Sequence, residues 1–252
     1  MPELQSCRTP LWNEIPLIDG HNCLGVVVAR GGSKGLPRKN LADLCGRPLV
    51  AWSLDAANRS ELLDCVVMSS DDEEILAAAQ AAGCDNLIRR PAALASDTAP
   101  VADTLIHAAD AMDRSFDYLV LLAATSPLRN ETDIDACIRA CHPNAPAAVT
   151  VCETPKPAEW ICRLDPTGRL VALVPGEGLQ TRRQDIAPAY QPNGAVYVAR
   201  SDWFREHRTF YDDLTVASIM PASRSIDIDT ETDLIVARLT AADTLHVGKQ
   251  PK

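Results

Sequence analysis

Hydrophobic residues along the first half of the chain follow two alternating patterns. Short, β-branched apolar runs at 24–28 (LGVVV), 65–70 (CVVMSS), 87–90 and 118–124 (YLVLLAA) predict strands. The last is apolar at every position, as expected of a strand covered on both faces. Between them, 49–58, 73–82, 98–113 and 131–141 repeat apolar residues at helical spacing. The second of these opens on Glu73-Glu74 and stops at Gly83, and the third carries Pro100 near its start. Strands alternating with helices predict an α/β fold with a doubly wound, mostly parallel sheet. After Asn144 the pattern changes. Segments 147–153, 169–174, 194–199 and 214–220 read as strands joined by Pro/Gly turns, a largely antiparallel excursion over about 145–220. The run Ser225-Ile226-Asp227-Ile228-Asp229 then alternates, so on a strand both carboxylates face one way, and a helix is predicted from about Thr232 with Asp233 in its first turn. Residues 1–22 read as an N-terminal extension and 23–245 as one domain.

Ligands on such sheets lie at the carboxyl ends of the strands. The predicted strand ends are Arg30-Gly31-Gly32, Ser69-Ser70-Asp71, Arg89-Arg90 and Thr125-Ser126-Pro127, all polar, charged or glycine-rich. The first opens a loop, 29–40 (ARGGSKGLPRKN), that gathers Gly31, Gly32 and Gly35 with Lys34 and Lys39. Glycines let backbone N–H groups approach a ligand, and successive N–H groups beside cations make an anion cradle. The loop lacks the Gly-Lys-Ser/Thr ending of a Walker sequence and the spacing of the dinucleotide fingerprint. From the loop alone, an ordinary surface turn remains open. Asp227 and Asp229 add oxygen ligands of the kind magnesium takes when it bridges phosphates; read without the loop, they are equally a solvated strand edge. Together, the loop and the pair point to nucleotidyl or phosphoryl transfer.

Composition narrows the partners. The 252 residues carry a net charge of -10, which disfavours nucleic-acid binding, while basic residues gather at 30–39, 89–90 and 182–183. No apolar run has the length of a membrane span, and the first residues lack the pattern of a signal peptide. Nine cysteines without framework spacing fit a reducing cytoplasm. Cys137, Cys141 and His142 match no zinc signature and are expected to pack as small residues.

Six segments in order carry a resemblance: 29–40 (ARGGSKGLPRKN), 69–75 (SSDDEEI), 90–99 (RPAALASDTA), 125–129 (TSPLR), 191–198 (QPNGAVYV) and 225–229 (SIDID). The chain resembles the CMP-sialic acid synthetases, or acylneuraminate cytidylyltransferases. The resemblance implies a Rossmann-like nucleotidyltransferase fold with a small dimerisation lobe, a homodimer, and magnesium. It implies transfer of CMP from CTP to the anomeric hydroxyl of a sialic-acid-like sugar acid, with release of pyrophosphate. By position, Ala29, Arg30, Gly31, Gly32, Ser33, Lys34, Asn40, Arg90 and Ala99 would bind nucleotide. Arg30, Lys34 and Lys39 would balance phosphate charge, and Asp227 and Asp229 would hold the metal. Ala123, Thr125, Arg183, Gln191, Asn193, Gly194 and Tyr197 would face the acceptor.

The sequence departs from the family pattern at Ala123, where a glutamine is usual, at Gln191, where an arginine is common, and at Val101 and Glu159, in place of a serine and a lysine. Each change removes a hydrogen-bonding group or a cation, with an effect on discrimination of roughly 1–3 kcal/mol per buried group. The acceptor therefore stays open: another nonulosonate, another 3-deoxy sugar acid, or a phosphonate. A homologue that binds nucleotide without catalysis is a further alternative.

Overall fold

The computed structural model describes residues 20–33, 35–174 and 178–247. Its first half alternates as the sequence predicts: β1 (Cys23–Val28), a small hairpin of β2 (Asp43–Leu44) and β3 (Arg47–Pro48), α1 (Leu49–Arg59), β4 (Cys65–Ser70), α2 (Glu73–Ala81), β5 (Asn86–Arg89), α3 (Val101–Asp110), β6 (Tyr118–Ala123) and α4 (Glu131–Ala140). The second half contains β7 (Ala147–Glu153), β8 (Cys162–Leu164), β9 (Leu170–Ala172), β10 (Tyr190–Arg200), α5 (Ser201–His207), β11 (Val216–Ile219) and α6 (Glu231–Val247).

Seven strands form the main sheet in the order β11-β7-β10-β6-β1-β4-β5. β1 pairs in parallel with β4 and β6, and β4 in parallel with β5; only β10 runs against its neighbours β6 and β7. The strand order reverses at β1, which lies between β6 and β4, so a crevice opens where the loops after β1 and β6 part. Alternate residues of each strand enter two cores. Val27, Met68, Val120, Leu122 and Val196 pack with Val50 and Leu54 of α1, Ile75 of α2 and Ile134 and Ile138 of α4. Leu24, Val26, Val67, Leu119 and Leu121 pack with Leu105 of α3 and Phe204 of α5. A third cluster seats α6, through Leu234 and Ala237, on Leu44, Leu49 and Ile228.

Local signals set the helix ends. Asp72 Oδ1 accepts the Glu74 and Ile75 N–H groups at 2.9 and 3.1 Å, and Asn130 and Asp133 form a reciprocal capping box on α4. The third helix starts at Val101, not at 98, because a residue before proline is pushed out of the helical region and Pro100 is itself extended.

The stretch 145–220 does not stand apart as a lobe. β7, β10 and β11 are strands of the main sheet, since β7 is buried along Ala147–Cys152 and has no solvent face. What leaves the sheet is the connection between β7 and β10, with the hairpin β8-β9. Cys137 and Cys141 pack in the core, their thiols aimed at the Val196 and Ala145 carbonyls. Among the described residues no helix is long and apolar enough to cross a membrane.

Leu122 is fully buried in β6 at the centre of the sheet. Leu122→Ala is expected to destabilise the fold by about 3 kcal/mol, read as a lower urea midpoint at constant m-value.

Candidate active site

The loop after β1 is pinned at its base by two buried polar side chains. Asn40 Nδ2 donates to the Arg30 carbonyl at 2.9 Å, and Arg90 Nη2 donates to the Ala29 carbonyl at 2.9 Å. Asn40 is 3% exposed and Arg90 7%, so neither reaches freely into solvent. The Arg90 fork also reaches Thr104 Oγ1 at 3.3 Å and lies 3.7 Å from Asp71. Burial lowers its pKa, an effect that Asp71 opposes. Both are expected among the nucleotide contacts, and their bonds to these two carbonyls hold the loop. Above that base the loop meets carboxylates. Gly31 N–H donates to Asp71 Oδ1 at 3.1 Å, and Arg30 Nη1 donates to Asp97 Oδ1 at 2.6 Å. Ala99 lies two residues beyond Asp97, half-buried, so the 96–99 turn faces the loop. The Ser33 hydroxyl is buried without a partner. Lys34 lies outside the described residues.

The far side of the cleft is the segment after β11. It is not a sheet strand: 225–229 joins no ladder, and Ile228 N–H donates to the Thr125 carbonyl at 2.8 Å. The alternation still holds, because Ile228 is buried under α6 while Asp227 and Asp229 keep solvent contact. Lys39 Nζ lies 2.8 Å from Asp229 Oδ1. A Cβ at Gly35 would fall 2.4 Å from the Asp229 carbonyl oxygen, so only glycine lets the loop close here. Asp233 Oδ2 accepts the Asp229 and Thr230 N–H groups at 3.1 and 2.7 Å, fixing the turn into α6.

Asp227 is the perturbed carboxylate. Protein crowds its carboxyl even though the residue retains solvent-exposed surface, and this raises its pKa. Asp229 and Asp233 raise it further, while a hydrogen bond from Thr125 and the charge of Lys39 work the other way. Thr125 thus holds this segment by both its carbonyl and its side chain. Gly194 lies beneath, with φ 76°, and a Cβ there would sit 3.3 Å from Asp227 Oδ2.

The remaining acceptor-side residues divide. Tyr197 packs on Phe210 and Tyr211, with ring centroids 5.2 and 6.3 Å away. Burial raises the pKa of its hydroxyl, with Tyr211 and then the Asp227 charge adding to this. Asn193 is buried and its amide is bonded inside the protein. Ala123 is half-buried, with its carbonyl held by Arg129 Nη1 at 2.6 Å. Gln191 is exposed, its amide nitrogen 3.9 Å from Cys152 Sγ, and Arg183 lines a cavity with Glu153, Pro157 and Ile186. The fold therefore gathers Arg30, Lys39, Thr125, Gly194, Asp227 and Asp229 around one crevice, and sets Arg183 on the β7–β10 connection and Gln191 at the start of β10, paired with Cys152 of β7. The sequence puts Asp71 at a strand end and Asp97 and Arg129 inside recognised segments but gives none of the three a role; the fold sets Asp71 and Asp97 on the loop. Arg129 is 2% exposed and staples the turn after β6 by donating to Ala123 and Ser126; burial brings its pKa down to about 9. Among the described residues no group of three or more His, Cys, Asp or Glu side chains is poised to hold a metal by itself.

In the metal-free protein Asp227 is expected to titrate above the ordinary 3.8. Thr125→Val should move that midpoint higher still, because the lost hydroxyl favoured the charged form. Carbon-detected NMR of the carboxyl reads both; an unmoved midpoint in the variant would remove Thr125 as its partner.

A family model described as cytidylyltransferase matches residues 24–234. The N-acylneuraminate cytidylyltransferase of Escherichia coli O18:K1:H7 is 31% identical over 216 residues, covering 85% of this chain and 51% of that protein. The chain thus spans about half the length of that relative. The CMP-N,N'-diacetyllegionaminic acid synthase of Legionella pneumophila is 33% identical over 214 residues, covering 83% of this chain and 92% of that one. Among solved structures, a CMP:2-keto-3-deoxy-manno-octonic acid synthetase complexed with CTP superposes with a TM-score of 0.68 at 18% identity, over 88% of this chain and 99% of that chain, a likeness of fold. With the family model spanning the phosphate loop, the crevice and the Asp227/Asp229 segment, the chain belongs to the cytidylyltransferase family.

Proposed function

We propose that the chain transfers CMP from CTP to the anomeric hydroxyl of a nonulosonic, sialic-acid-like sugar acid and releases pyrophosphate. The observation that carries this reading is the contact of Lys39 with Asp229 across the crevice, which sets a cationic loop against a carboxylate pair at the point where the strand order reverses. The acceptor hydroxyl oxygen forms a bond to the α-phosphorus, the bond from that phosphorus to the pyrophosphate oxygen breaks, and the hydroxyl proton passes to water. Arg30, Lys34 and Lys39 balance the charge that grows on the leaving pyrophosphate, and the Gly31 and Gly32 N–H groups line the same loop. Asp97 and Asp229 release Arg30 and Lys39 to the phosphates. Asp227, beside Thr125, stands on the acceptor side.

The carboxylate pair fits magnesium. Two oxygen donors two positions apart, with Asp229 raising the cost of charging Asp227, are what this ion takes before substrate phosphates complete its shell. Asp227 and Asp229 would hold it, and it would supply Lewis-acid stabilisation of the phosphate oxygens.

The sugar acid remains a class, because this chain carries Ala123 where the family pattern has a glutamine. The two relatives above, an N-acylneuraminate cytidylyltransferase and a CMP-N,N'-diacetyllegionaminic acid synthase, support that breadth. The eight described cysteines are all free, which supports work in the cytoplasm. The hairpin between β7 and β10 exposes Leu164 and Leu170 at 68% each, with Val171 at 50%, and we read this face as the contact of a homodimer.

Incubation with CTP, magnesium and a panel of nonulosonic and other 3-deoxy sugar acids should release pyrophosphate with at least one of them, and silence with every acid would sink the reading. Asp229→Asn should lower kcat by about 100-fold with an unchanged circular dichroism spectrum. Light scattering should give twice the chain mass, and the Leu164→Asp, Leu170→Asp double variant should give the single chain; a monomeric parent would discard the dimer.

A further inference from the structure

Asn193 was expected to face the acceptor, yet its side chain has no bonding capacity left for a ligand. The residue is 5% exposed. Its Oδ1 accepts the Thr150 hydroxyl at 2.6 Å and the Ala195 N–H at 3.2 Å. Its Nδ2 donates to Ser225 Oγ at 2.9 Å and lies 3.2 Å from Met220 Sδ. A primary amide has two acceptor sites and two N–H bonds, so these four partners fill it.

The partners come from three places. Thr150 belongs to β7 and also accepts the Val196 N–H at 2.9 Å, bridging the irregularity where β10 loses register with β7 between Pro192 and Tyr197. Met220 follows β11 and is 2% exposed. Ser225 opens the segment that carries Asp227, and its hydroxyl passes on to the Pro221 carbonyl at 2.9 Å. Asn193 thus bonds directly to the residue two positions before Asp227, and is followed by Gly194, whose backbone forms the floor under Asp227 Oδ2.

We propose that Asn193 is a positioning residue: it sets the place of Asp227 through Ser225 and Gly194 and touches no substrate. The inference rests on the proposed function for the reaction it serves, but the positioning itself is independent of the acceptor. Breaking the knot removes this tie between the 221–229 segment and β7 and β10, and leaves its ties to Thr125, to Lys39 and, through the pairing of Arg224 with Asp133 at 2.7 and 2.8 Å, to α4.

The test uses Asn193→Ala, Ser225→Ala and the double variant in the whole protein. In steady state, Asn193→Ala should lower kcat by about 30-fold while KM for CTP and for the acceptor each stay within about threefold, the pattern of misplacement rather than lost ground-state contact. Ser225→Ala, which keeps the amide and is the milder change, should show the same pattern at about fivefold, and the double variant should be no worse than Asn193→Ala alone, since both act on one path. Hydrogen exchange should quicken at 194–196 and 221–229 in every variant and stay unchanged in β1, β4 and β6. A rise in acceptor KM with kcat retained would make Asn193 a contact and overturn the proposal, as would unchanged exchange at 221–229. If Asn193→Ala does not fold, Ser225→Ala decides on the same readouts. If the parent turns over no acid, the functional reading fails by itself, while the exchange data still settle the positioning.

Discussion

A loop built to receive an anion must stay ordered when no anion is in it. Here the requirement is met by the protein's own carboxylates: Asp71 on the Gly31 N–H, Asp97 on Arg30, and Asp229 on Lys39. Each comes from a different element, after β4, before α3 and before α6, so balancing the loop's charge also draws the rim of the crevice together. Exposed pairs of this kind are individually worth about 1 kcal/mol or less. That weakness suits a site whose cations must change partner, because a deep ion pair would compete too well with phosphate.

Beneath this exchangeable layer lies one that does not exchange. Asn40 and Arg90 hold the ends of the loop by backbone carbonyls, Arg129 holds the turn after β6, and Asn193 holds the bulge of β10. All four are buried, and their donors go mostly to main-chain oxygens. Unpaired buried groups are costly, so such contacts fix geometry more firmly than the surface pairs. The crevice is therefore rigid at its floor and electrostatically adjustable at its rim.

The sequence made the floor visible as a fold and hid it as chemistry. Two-residue periodicity and uninterrupted apolar runs located β1, β4, β6 and β7, because burial on one or both faces is written directly in residue type. The third helix was placed too early because apolar spacing does not register what Pro100 forbids. The SIDID run gave the right faces but the wrong element, since alternation reports extended backbone and says nothing of a neighbouring strand. The site residues were legible as a set, through six segments in order. What each polar side chain does was not. Arg90, Asn40 and Asn193 look like ligand contacts by position, and the fold adds the bonds each makes within the protein, which position alone does not show. Residues 145–220 were read as a separate excursion because their turns are rich in proline and glycine, whereas three of their strands complete the main sheet.

The contact of Gly35 with Asp229 has an evolutionary consequence. The atom that leaves no room for a side chain at position 35 is a main-chain carbonyl, which every amino acid at 229 would present. No second-site change at 229 can then compensate a substitution at 35, so the closure of the loop is frozen in descent. The Lys39–Asp229 and Arg30–Asp97 contacts, by contrast, run between side chains, so their strength depends on residue type while the closure at 35 depends on backbone alone. A lineage built on this frame can retune how strongly it holds a phosphate without ever altering the shape that holds it.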